Sequence, residues 1–104
     1  MHVFNMVRIC ELTFATVGTS VEQSTLIDLD NKAGAVLLIG KDSELESVEI
    51  HVAATPGGEY LPLADGVVDV QPGTAIPLPN HIHAAPYIKL VGNVEGTVTV
   101  SAKS

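Results

Sequence analysis

Short runs in which apolar and polar residues alternate with period two limit this chain's fold more than any other feature. Val98, Val100 and Ala102 alternate with Thr97, Thr99 and Ser101, and Val48, Ile50 and Val52 alternate with Glu49 and His51. Successive side chains of a strand point to opposite faces, so each run reads as a strand with one face in a core. On this reading Ile50 and Leu90 face the core, while His51 and Lys89 face solvent or a partner. Leu26 and Leu29 bracket Ile27-Asp28 less cleanly. Ala35-Val36-Leu37-Leu38-Ile39 is apolar on both faces and reads as a central strand covered on both sides. Val7 and Ile9 stand in one phase, Leu12 and Phe14 in the other, which predicts a bulge or two short strands meeting around Cys10-Glu11.

Turn chemistry separates these runs at sheet-like intervals. Asn31-Lys32-Ala33-Gly34, Pro56-Gly57-Gly58, Asp65-Gly66, Pro72-Gly73, Gly92-Asn93 and Glu95-Gly96 supply the positive-φ and fixed-φ residues that chain reversals need. Asp42-Ser43-Glu44-Leu45-Glu46 hints at helix, with Ser43 and Glu46 spaced like a capping box, but Val48 then starts a strand, which leaves a single turn or a loop. Between Pro72 and Pro86 the prolines cannot donate to a ladder, so this stretch runs along a sheet edge or as a connection. Many short strands with such turns predict an all-β fold: one antiparallel β-sandwich of jelly-roll type spanning residues 1–104, with residues 1–6 a candidate terminal arm.

Composition supports one core and restricts the partners. Hydrophobic residues are 46% of the chain and charged ones 16%, a globular balance. Aromatic residues are only 4%, so the core rests on Val, Ile, Leu and Ala. Twelve acidic against five basic residues give a formal net charge of -7, and the basic residues are scattered singly, which disfavours nucleic acid and anionic membranes. Cys10 is the only cysteine, beside Glu11, and reads as an unreactive thiol suited to a reducing compartment. The first residues lack the charged-then-apolar layout of a secretory signal, and no apolar run reaches the ~18 residues that span a membrane. Together these predict a protein assembled in an aqueous cytosol.

The residues that carry chemistry elsewhere do not assemble a site here. His81-Ile82-His83 places two imidazoles on one strand face and resembles the first metal motif of the cupins, but the positions that hold the cupin Glu are Tyr87 and Ile88. The second cupin motif has no counterpart after Gly92, and His2 and His51 are the only other histidines. There is no Gly-x-Ser-x-Gly elbow, no EF-hand spacing around Asp28-Leu29-Asp30-Asn31, and no phosphate loop, since Gly57-Gly58 opens no helix. The expectation is a binding protein with no catalytic residue, no metal site and no cofactor.

The order of elements is familiar as a whole. Ser24-Thr25-Leu26-Ile27-Asp28-Leu29, Val36-Leu37-Leu38-Ile39-Gly40 and Val48-Glu49-Ile50-His51-Val52 are followed by Gly58-Glu59-Tyr60-Leu61-Pro62-Leu63, Ile88-Lys89-Leu90 and Gly96-Thr97-Val98-Thr99-Val100-Ser101. This succession resembles the small β-sandwich structural proteins of tailed bacteriophages, among them capsid decoration (cement) proteins and accessory tail domains. The resemblance implies a virion structural protein, a homotrimer seated on the outer face of a shell of major capsid protein and assembled in the host cytoplasm. A receptor- or carbohydrate-binding module of a tail or fibre is the alternative, although the chain has no Trp and only Tyr60 and Tyr87 as tyrosines. Val3, Phe4 and Met6 are the candidate partner-contact residues, because apolar density is unusual at a chain end. They fill either the edge of the domain's own core or a groove on a neighbouring subunit.

Overall fold

The alternating runs become eight strands in the computed structural model, which describes residues 11–79 and 85–103. They are β1 (Glu11–Val17), β2 (Ile27–Asp28), β3 (Gly34–Leu38), β4 (Ser47–Ala53), β5 (Leu61–Asp69), β6 (Ala75–Pro77), β7 (Tyr87–Gly92) and β8 (Gly96–Lys103). A single 3-10 turn, Val21–Gln23, lies between β1 and β2. The strands form two antiparallel sheets, β1-β8-β3-β6 and β2-β7-β4-β5. β1 pairs with β8, β2 with β7, β3 with β6 and β4 with β5, so the chain is one long hairpin whose successive strand pairs fall alternately into the two sheets. That is the jelly-roll order, and the expected β-sandwich is the fold.

Both inner faces are built from the alternating positions. Leu37, Val48, Ile50 and Ile88 are wholly buried, and Ala15, Val17, Leu90, Val98, Val100 and Ala102 join them in one cluster. Leu29, Leu45, Val70 and Leu78 join the cluster from outside the strands. The crossing from the first sheet to the second is pinned by Ser24, whose Oγ accepts from the Gly18 amide at 3.0 Å and donates to the Ser20 carbonyl at 2.9 Å.

Leu45 lies in a loop, and the Ser43–Glu46 capping box does not form. Ser43 Oγ accepts from the Leu45 amide at 3.2 Å, while Asn93 Oδ1 accepts from the amides of Glu46 and Ser47 at 2.9 and 3.2 Å. These bonds hold Leu45 down over Gly92 and Gly96. A Cβ on Gly92 would lie 2.7 Å from Leu45 Cδ2 and from the Val94 carbonyl oxygen, and 2.9 Å from Val17 Cγ1. Gly92→Ala therefore overpacks this corner and is expected to cost about 1–3 kcal/mol in a denaturant titration.

Three readings of the sequence change, and a fourth falls partly outside the described residues. The buried residue of the second strand is Ile27, with Leu29 beyond it, whereas Leu26 is half-buried. Asp65-Gly66 makes no reversal between strands. It sits inside β5, where Glu49 pairs with Val67 but His51 with Pro62, so the four residues 63–66 stand opposite Ile50 alone as an irregular bulge. Asp65 takes φ 58°, and a Cβ on Gly66 would lie 2.8 Å from the Leu63 carbonyl oxygen. β3 is central in its sheet but covered on one face only, because no second layer packs over Val36 and Leu38 among the described residues. Finally, β1 runs in one phase from Glu11 to Val17, with Ala15 and Val17 inward and Leu12 and Phe14 outward. Any break at Cys10 lies outside the described residues.

Candidate interaction surface

The outward positions of the first sheet can be read from its register. Leu12 lies opposite Ser101, Ser101 opposite Val36, and Val36 opposite Pro77. The next row is Phe14, Thr99, Leu38 and Ala75, and Thr16 with Thr97 follows. None of these ten residues is charged. Phe14 is 78% exposed, Leu12 56% and Leu38 40%, although each is large and apolar. The face is therefore two apolar margins, Leu12-Phe14 and Val36-Leu38 with Ala75 and Pro77, on either side of a line of hydroxyls from β8.

The charges lie elsewhere. Glu11 sits at one end of the sheet, bridged to Lys32 at 3.0 Å, and Lys103 is at the same end. The other eleven acidic residues are in loops or on the second sheet. An exposed apolar surface with no charge on it, in a chain this acidic, is the feature that solubility alone would remove.

The outer face of the second sheet carries charged and polar groups, most of them paired, although Leu61 and Val67 of β5 are exposed as well. His51 Nε2 meets Glu49 Oε1 at 2.6 Å, while the buried Nδ1 finds no partner among the described residues. With the proton on Nε2, only a lone pair is left unmatched at Nδ1. Lys89 donates to the Val21 carbonyl at 3.2 Å, and its Nζ stands 4.8 Å above the centre of the Tyr60 ring. The Tyr60 hydroxyl donates to the Pro56 carbonyl at 2.9 Å. Its phenol is held above the ordinary value of 10.0, first by burial and then by the neighbouring Tyr87. Asp28 Oδ1 accepts from the Asp30 amide at 2.9 Å, so this acidic pair is a local turn. Among the described residues, no group of three or more His, Cys, Asp and Glu side chains is arranged to hold a metal.

Val3, Phe4 and Met6, the partner contacts expected from sequence, lie outside the described residues, as do His81 and His83. The exposed set Leu12, Phe14 and Leu38 was missed. Its signal was present: Leu12 and Phe14 break phase with Val7 and Ile9, and such a break marks an apolar outer face as readily as a bulge. No protein family, curated protein or solved structure matches the chain.

Proposed function

We propose that this chain is a capsid decoration (cement) protein, a virion structural domain that binds the outer surface of a shell of major capsid protein and stabilises it. The observation that carries the reading is the uncharged outer face of β1-β8-β3-β6, with Phe14 at its margin. A sheet face of apolar margins and hydroxyls suits a broad protein surface, and burying Phe14 against one supplies the aromatic anchor that dominates many interfaces. The acidic loops and second sheet then point to solvent, which keeps a decorated particle soluble and repels nucleic acid. A ligand that binds the assembled shell and not its free subunits stabilises it by linkage. On this reading the chain is assembled in the host cytoplasm and ends on the outside of the virion.

Carbohydrate binding by a tail module has less support. A sugar platform needs an open aromatic face with carboxylates or amides beside it for the hydroxyls. The Tyr60 ring carries the Lys89 amine, and the same-face neighbours of Phe14 in the register are Leu12, Thr16 and Thr99.

The test is to add the purified chain to shells stripped of it and to follow sedimentation and the melting of the shell. Saturable binding in fixed ratio to the capsid subunits, with a raised shell melting temperature, is the expected result. Shells that neither bind the chain nor gain stability would refute the reading, and glycan binding through Phe14 would replace it.

A further inference from the structure

The edge of a sheet offers unpaired N–H and C=O groups to any strand that can reach them, and folded proteins usually block it. Three of the four edges here are blocked. β2 has two residues, β6 has three and ends at Pro77, and β5 carries Pro62 and the bulge at 63–66. β1 has no such device: it is seven residues long, free of proline, and in unbroken register with β8. Among the described residues its edge is occupied at one end only, where the Thr16 amide donates to Thr25 Oγ1 at 2.8 Å and the Thr16 carbonyl accepts from the Thr25 amide at 3.0 Å. Alternate residues of a strand present their backbone groups to the same side. Leu12 and Phe14 therefore point theirs as Thr16 does, away from β8, and no described residue meets them.

We propose that this edge pairs with β1 of a second copy of the chain, antiparallel about a two-fold axis at Thr13. Because Thr16 is already bonded, the open groups are those of Leu12 and Phe14, and a register that sets Leu12 against Phe14 of the second copy joins these groups to each other. It forms an aromatic–aliphatic pair on each side of the axis. It also places Glu11 opposite Ala15 of the second copy, away from the other Glu11. A Phe14–Phe14 register would instead set Leu12 against the occupied Thr16.

Electrostatics selects the same approach. Two chains of charge -7 repel, and at this edge the side chains nearest the axis are Leu12, Thr13, Phe14 and Ala15. A three-fold ring would need β1 to meet a different edge of its neighbour, and the other three are blocked. Pairing joins the two uncharged faces into one eight-stranded face, and this inference stands whether or not the partner of that face is a capsid.

The full chain is measured by size-exclusion chromatography with light scattering from micromolar to millimolar concentration, together with amide exchange at Leu12 and Phe14. A concentration-dependent dimer, with both amides protected only in the dimer, is the expected result. Leu12→Pro removes a donor that points away from β8, and should weaken dimerisation at least tenfold while the circular dichroism spectrum is kept. Phe14→Ser, which leaves the backbone intact, should weaken it in the same direction. Thr13→Cys in a Cys10→Ser background should cross-link to itself on oxidation. A chain that stays monomeric at millimolar concentration overturns the proposal. If both amides are then protected, the edge belongs to the chain's own residues. A dimer indifferent to both Leu12→Pro and Phe14→Ser, with no Thr13 cross-link, overturns it as well.

Discussion

Truncating Ile50 to alanine is expected to lower unfolding stability by about 2–5 kcal/mol, the range for removing a large aliphatic side chain from a packed core. Ile50 is wholly buried at the centre of β4, paired with Leu90 across the ladder to β7 and flanked on the other side by the β5 bulge. A small domain has only about 5–15 kcal/mol of stability in all, so the variant should unfold at a visibly lower urea concentration. Val67→Ala, at a position 60% exposed on the adjacent strand, is the control and should stay within about 0.5 kcal/mol of the parent. A loss below that value for Ile50 itself would mean that the register of β4 is wrong.

The second large effect concerns binding. Phe14→Glu should leave the fold intact, since the side chain is mostly in water and the neighbouring Ala15 and Val17 carry the packing of β1. Placed against a partner, however, the new carboxylate must be buried on a face that offers no countercharge, and the aromatic contact is lost as well. Anchors of this kind are worth about 2 kcal/mol or more, which corresponds to roughly thirtyfold in affinity for the shell. A melting curve unchanged beside a binding isotherm displaced by that factor is the expected pair of results.

How far the fold was legible follows from the physics of alternation. β4, β7 and β8 each alternate cleanly between a buried face and a polar one, so Val48, Ile50, Ile88, Leu90, Val98 and Val100 could be placed in the core before any coordinates. The rule fails where an outward face is itself apolar. The pattern of residues 35–39 predicts cover on both sides of Val36 and Leu38, and nothing in it marks Leu12 and Phe14 as outward, because hydrophobicity alone does not say which of two apolar faces is inside. Both pairs fall on the same sheet face, the one proposed as the docking surface. Leu45 escaped notice for another reason. Its burial depends on Asn93, whose side chain reaches back to the amides of Glu46 and Ser47, and no local pattern in the sequence reports such a long-range tie.

The claim that the uncharged face of β1-β8-β3-β6 is the docking surface can be tested by hydroxyl-radical footprinting of the chain, free and bound to the shell at the same chain concentration. The account predicts that Phe14 and Leu38 lose reactivity on binding while Tyr60, Leu61 and Val67 keep theirs. Protection of Tyr60, Leu61 and Val67, with Phe14 and Leu38 still labelled as in the free chain, would contradict it.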